Sequence, residues 1–157
     1  MPDSSLSDAL GRIPSGLFIL TARHDGHETG MLASWVMQAG FAPPMVTVAV
    51  KQGRYVASWL EAGAPFVLNL VPQGDKALLK HFGRGFEPGE PAFEGLELVR
   101  SSDDVPILAA ALGHLACRPK GYIDSGDHRV FMAEITSGSL ASEAEPYVHV
   151  RKNGLKY

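Results

Sequence analysis

Short runs of β-branched and aromatic residues, each cut off by glycine or proline within a few positions, recur along most of this chain, and that punctuation limits its fold more than anything else. Leu17–Ala22 (LFILTA) is apolar and partly β-branched, His24-Asp25-Gly26-His27 supplies a turn, and Thr29–Gln38 resumes an extended pattern; together they read as a hairpin. Pro43-Pro44 breaks the chain by removing two N–H donors, and Met45–Val50 (MVTVAV) follows as a strand. Phe66–Val71, Leu96–Arg100, Gly113–Asp124, His128–Ser139 and a short Val148–Val150 complete the strands. Only two segments have helical spacing. Arg54–Glu61 places Val56, Trp59 and Leu60 together and stops before Gly63, and Lys76–Phe82, capped by Asp75, aligns Ala77, Leu78 and Phe82. Many short strands and few helices favour a closed, mainly β barrel over an α/β sheet. Gly83–Gly95, rich in Gly and Pro, is expected to be a surface loop of lid-like length anchored by Phe86 and Phe93.

At 157 residues the expected organisation is one domain spanning 1–157. The net charge of −3, with both signs interleaved, offers no basic stripe for nucleic acid. No stretch approaches the ~20 apolar residues of a membrane span, and Met1–Arg12 is too polar for a signal peptide. The single Cys117 reads as a small buried residue on a strand in a reducing compartment, so cytoplasmic residence is expected. The familiar nucleophile elbow, phosphate loop, dinucleotide fingerprint and Cys-x-x-Cys are all missing, which points to chemistry supplied by a cofactor. His24 and His27 have no further ligand at metal-binding spacing, and no metal site is expected.

The most informative stretch is Thr29–Val50, TGMLASWVMQAGFAPPMVTVAV, in which glycine and small residues lead into a strand, a Pro-Pro break and a second strand. On composition alone it is a hairpin or a barrel corner. It also resembles the flavin-binding segment of the flavin reductase-like family, the FMN-binding split barrels. Gly11-Arg12-Ile13, Gly16, Ala33-Ser34-Trp35-Val36, Pro43-Pro44, Phe66-Val67-Leu68-Asn69, Gly126-Asp127-His128 and Gly154–Tyr157 follow in that family's order, so the likeness covers nearly the whole chain. MLASWV, KHF, FEPGE and GDH are most similar to the flavin reductase module at the C-terminal end of flavodiiron proteins of oxygenic phototrophs.

The resemblance implies a site. Small residues with free backbone N–H groups suit the edge of an isoalloxazine that gains negative charge on reduction, and Leu32 through Val36 are the candidates. By matching positions, Met31, Leu32, Ala33, Ser34, Trp35 and Gln38 are the implied ring and ribityl contacts; Trp35 reads equally as a strand aromatic at a dimer interface. Lys51, Arg54 and Ser58 are the implied phosphate ligands, against the plainer reading of a solvated rim. Gly126-Asp127-His128 is locally a tight turn, and in the family its histidine faces the flavin near the nicotinamide, which makes His128 the implied catalytic residue. Phe82, Phe86 and Tyr157 are aromatics that either pack over the cofactor or belong to the core, while His81 and His114 read as structural.

The function implied is an NAD(P)H-dependent flavin reductase, with FMN or alternatively FAD, NADH or NADPH as reductant, and a homodimer as the family's assembly. Electrons would pass to free flavin or to a partner acceptor such as a monooxygenase or a diiron protein, because the flavodiiron-like motifs stand here without the modules they usually accompany. Two rivals share the barrel: a non-enzymatic FMN-binding electron carrier, and an FMN oxidase of the pyridoxamine-phosphate type. The oxidase needs a cationic pocket for a phosphorylated amine, and few Arg or Lys are expected at the site outside Lys51–Arg54.

Overall fold

The computed structural model describes residues 4–157; the first three residues of the polar opening segment lie outside the described part. In chain order the elements are α1 (Ser4–Gly11), β1 (Ser15–Gly16), β2 (Phe18–His24), β3 (His27–Ala33), β4 (Val36–Phe41), β5 (Pro44–Lys51), α2 (Tyr55–Glu61), β6 (Phe66–Leu70) and α3 (Lys76–Gly83). They are followed by β7 (Leu98–Arg100), β8 (Pro106–Leu108), β9 (Gly113–Ser125), β10 (His128–Leu140) and β11 (Val148–His149). No helix among the described residues is long and apolar enough to cross a membrane.

The expected β2–β3 hairpin closes at Asp25-Gly26, both at positive φ (49° and 78°), the geometry whose twist matches that of the flanking strands. The central sheet has seven strands in the order β3-β2-β6-β9-β10-β5-β4. Its two edges, β3 and β4, are consecutive in the chain and separated only by Ser34 and Trp35. Laid flat, edge strands six spacings apart would sit about 29 Å from each other, whereas the step from Ala33 to Val36 spans at most about 11 Å. The sheet must therefore curl until its edges meet, and the mainly β split barrel expected from the sequence is what results. Two register shifts along the β9–β10 pair, at Met132/Ala133 and Ile135/Ser137, help these long strands bend.

Alternate side chains fill the barrel. Val46, Val48 and Val50 of β5 point inward with Phe131, Ala133, Leu20, Phe66 and Leu68, and α2 plugs one end with Val56, Trp59 and Leu60. Outside the wall, α3 and the following loop form a second apolar cluster in which Leu17, Ile19, Val71, Leu78 and Phe82 meet, with Phe86 and Phe93 packed against it as expected. Asp75 caps α3 by accepting from the Leu78 amide at 3.1 Å. Asn69 explains part of the Phe66–Asn69 motif: fully buried, it donates to the Ile19 carbonyl at 2.9 Å and accepts from the Leu108 amide at 2.9 Å, tying β2, β6 and β8 together. Cys117 is buried on β9, and burial pushes its thiol up to about 12.

The expectation of only two helices is corrected by α1. This short polar helix is held by long-range contacts, Ser7 Oγ donating to Asn153 Oδ1 at 2.7 Å and the Gly154 amide to the Ser7 carbonyl at 2.8 Å, rather than by an apolar stripe. The short strands β1 and β8 also escape the sequence reading, because two- and three-residue pairings carry no periodicity.

Candidate active site

Where the barrel edges meet, Ser34 and Trp35 leave the sheet, and the Trp35 carbonyl accepts from the Ala49 amide at 3.0 Å. Since the odd-numbered residues of β5 face outward, Ala49 and Lys51 present themselves on the same side as this seam. A cavity of about 240 Å³ opens there. Met31 through Trp35 form one wall; β3 pairs only with β2, so every second residue along it turns its backbone N–H and C=O out of the sheet.

Four cationic side chains line the cavity: Lys51, Arg54, Arg84 and Arg151. In a chain of net charge −3 this is a local concentration of positive charge. Lys51 and Arg54 have no ion pair among the described residues; Arg84 is paired to Glu90 at 3.3 Å, and Arg151 lies 5.3 Å from the Trp35 ring while donating to the Lys156 carbonyl at 3.1 Å. A wall of free backbone dipoles beside unpaired cations suits a ligand that carries a phosphate and an electron-rich ring. The expected scarcity of Arg and Lys outside Lys51–Arg54 is corrected, since the fold carries Arg84 and Arg151 in from distant segments.

The sequence-derived residues divide. Met31, Leu32, Ala33, Ser34, Trp35, Lys51, Arg54, Phe82 and Tyr157 all line the cavity, although Phe82 is almost wholly buried in the outer apolar cluster. Val36, Gln38 and Ser58 do not: Val36 packs on the barrel core, Gln38 is exposed and bonds to the Gly40 carbonyl at 3.4 Å, and Ser58 lies on the exposed side of α2. Gly30 has a structural reason, because a Cβ there would come within 2.6 Å of Phe82 Cε1.

His128 lies behind the wall. Gly126 (φ 58°) and Asp127 form a two-residue turn between β9 and β10, which makes His128 the first residue of β10, opposite Lys51. Its Nδ1 is 2.7 Å from Asp127 Oδ1, its Nε2 bonds the Tyr157 hydroxyl, and its ring centroid is 4.6 Å from that of Trp35. Nδ1 thus faces the Asp127 carboxylate, to which its N–H donates, and Nε2 faces the Tyr157 hydroxyl. The bond to His128 holds the Asp127 carboxyl below the usual range, while burial pushes the Tyr157 hydroxyl up against the opposing influence of Arg54 and Arg151. Trp35 and Tyr157 stand between this cluster and the cavity.

His149 and Arg151 were not singled out by sequence reasoning. Both reach the cavity because β11 pairs with β1, Ser15 opposite His149, and the Arg151 amide bonds the Gly11 carbonyl at 3.0 Å. The imidazole of His149 has no hydrogen-bond partner among the described residues. The close packing of Gly154 on Leu10 and Gly11 leaves no room for a Cβ, so the tail is seated where Tyr157 can reach Trp35. Ser58 falls on the face of α2 opposite Val56 and Leu60.

A curled barrel with a cation-lined cavity at its seam defines a small β-barrel domain whose site suits an anionic ligand. Residues 10–154 match the model described as "Flavin reductase like domain", and the chain belongs to that family. It is 41% identical over 157 residues to diflavin flavoprotein A 1 of Synechocystis sp., a match covering 99% of this chain and 27% of that protein. It is 38% identical to a putative diflavin flavoprotein A 3 of Nostoc sp., covering 98% of this chain and 27% of that one. The chain thus spans about a quarter of the length of these relatives. Among solved structures, an NADH:FAD oxidoreductase of Streptomyces globisporus shares the fold with a TM-score of 0.86 at 22% identity, over 96% of this chain and 92% of that one.

Proposed function

We propose that this domain is an NAD(P)H:flavin oxidoreductase that binds FMN in the seam cavity, with FAD as the alternative flavin. The observation that carries this reading is the juxtaposition of the Met31–Trp35 edge-strand backbone with the unpaired cations Lys51 and Arg54. Held by the Met31–Trp35 backbone and by Lys51 and Arg54, a flavin would supply the capacity to take up a hydride from a nicotinamide and to pass electrons to a second acceptor. The chain's own part is to donate backbone hydrogen bonds to the ring edge from Met31–Trp35, to neutralise phosphate with Lys51 and Arg54, and to orient Trp35 and Tyr157 through His128. Asp127 keeps His128 in one tautomer, so the Tyr157 hydroxyl has a defined acceptor.

The reading extends to a homodimer. At about 240 Å³ the cavity is smaller than the ~300–1,000 Å³ of most ligand pockets, and an apolar face adjoins it. Met37 and Met132 both pair with Thr47 across β4, β5 and β10, while Ile123 and Val130 continue to Ala49 on the cavity wall. Phe41 on the same β4 strand is 90% exposed. A second subunit on this face would cover it and deepen the site. The acceptor is free flavin or a partner such as a monooxygenase or diiron protein, and cytoplasmic residence fits the single reduced, buried Cys117.

The test is to load the purified protein with FMN and follow nicotinamide absorbance with NADH and NADPH separately, with sedimentation to count subunits. Retained flavin and oxidation of either nucleotide are expected; flavin retention without oxidation would instead support the non-enzymatic carrier. Within the enzyme reading, His128→Ala is expected to slow reduction about tenfold while weakening FMN binding less. A variant that loses FMN but is reduced normally once resaturated would remove His128 from that role.

A further inference from the structure

Among the described residues, Arg84 is the one cavity cation already held by a carboxylate. Its Nη2 is 3.3 Å from Glu90 Oε2, and its guanidinium lies 4.2 Å from the Phe86 ring centroid. The other oxygen of Glu90 accepts from the Glu87 amide at 2.9 Å, and these contacts, the backbone amide first and Arg84 second, hold the Glu90 carboxyl below its ordinary range. The loop carrying this pair is pinned on both sides: the Phe86 carbonyl accepts from the Tyr55 hydroxyl, and His81 Nε2 is 2.7 Å from the Ala92 carbonyl. Arg84 itself sits between two glycines. A Cβ at Gly83 would meet nothing within 4 Å, and Gly85 holds a φ of 77°, so neither neighbour carries a side chain that would obstruct reorientation of Arg84.

We propose that Arg84 binds the phosphate of a nucleotide ligand in the cavity and that Glu90 is its intramolecular competitor. The proposal rests on the flavin reading above and adds a residue and a restraint to it. A phosphate carries up to twice the charge of a carboxylate and presents more acceptor oxygens, so it outcompetes Glu90 for the guanidinium. The exposed Arg84–Glu90 pair is weak enough to be exchanged, and its cost to the ligand is a few-fold in affinity. The pair therefore favours ligands that bring a phosphate over those that bring only a ring. Two sources share this chemistry, the phosphate of the flavin and the diphosphate of the nicotinamide dinucleotide.

The experiment uses the full chain, stripped of flavin, as wild type, Arg84→Gln, Glu90→Gln and the double variant. Riboflavin and FMN are titrated by flavin fluorescence, and NAD⁺ is titrated by calorimetry into the riboflavin-saturated protein. Glu90→Gln is expected to tighten the phosphate-bearing ligand about two- to fivefold, Arg84→Gln to weaken it about tenfold, and neither to move riboflavin. In the Arg84→Gln background, Glu90→Gln should have no effect, because the competitor then has nothing to hold. The pattern on FMN assigns Arg84 to the flavin phosphate, and the pattern on NAD⁺ alone assigns it to the dinucleotide. If Glu90→Gln acts equally with and without Arg84, Glu90 acts only through its general negative field and the competition is overturned. If FMN and NAD⁺ respond to none of the variants, the phosphate role of Arg84 is overturned while the flavin reading stands. A wild type that binds neither riboflavin nor FMN defeats the flavin reading and this proposal with it.

Discussion

The wall formed by β2, β6 and β9 and the seam between β3 and β4 belong to one sheet, yet they treat polar groups in opposite ways. On the wall, Asn69 and Thr21 are fully buried and fully partnered: Thr21 Oγ1 donates to the Pro106 carbonyl at 2.6 Å and accepts from Asn69 Nδ2 at 3.1 Å. At the seam, Lys51 and Arg54 are exposed and have no ion pair among the described residues, and the edge of β3 keeps backbone donors that no described strand takes up. Satisfied polar groups inside a wall hold the barrel together, whereas unsatisfied ones beside a cavity are available to a ligand. The buried polar network and the candidate site thus lie on different sides of the same barrel.

That division should be broken most visibly by Asn69→Leu, which strands the Leu108 amide in the interior and takes away the donor to Thr21 Oγ1. A loss of about 2–4 kcal/mol is expected, read as a fall of several degrees in thermal midpoint; a midpoint unchanged from wild type would mean that the wall does not depend on this residue. Gly30→Ala comes next and touches both regions, since the added methyl meets the Phe82 ring that packs α3 onto β3. It should cost about 1–3 kcal/mol and also weaken riboflavin, and if stability falls while binding is untouched, α3 does not shape the cavity. Arg54→Gln should do the reverse, leaving the midpoint in place while FMN affinity drops about tenfold relative to riboflavin.

The smallest effect is expected outside the cavity lining, at Glu28. Its bond to Arg100, at 2.6 Å, holds its carboxyl below the ordinary value of 4.5 despite partial burial. The folded value lies below the unfolded one, so the stabilisation is complete above pH 4.5 and is lost as pH falls through the folded value. Glu28→Gln should therefore flatten the acid limb of the stability profile by less than about 1 kcal/mol without altering flavin binding. An unchanged acid limb in chemical denaturation would remove Glu28 from the acid response.

Much of the barrel was legible in the chain. The β-formers of Met45–Val50 marked β5, Asp25-Gly26 set the first hairpin turn, and Asp75 marked the start of α3, because each depends on neighbours a few residues away. The cavity was legible only where one segment lines it continuously, from Met31 to Trp35. Arg84, His149 and Arg151 left no local signature, since each is an ordinary polar residue beside glycine or in a tail, and α1 forms through contacts with residues about 146 positions away.

The sequence by itself determined most of the strands, the two internal helices and the family to which the chain belongs. Tertiary structure alone decided that Ser34 and Trp35 close the barrel, that Phe82 excludes a side chain at Gly30, and that four cations from separate segments converge on one cavity. The physical reason is range. Periodicity and turn chemistry act over one or two residues' reach, whereas the site exists only because a sheet too wide to lie flat must bring its own edges together.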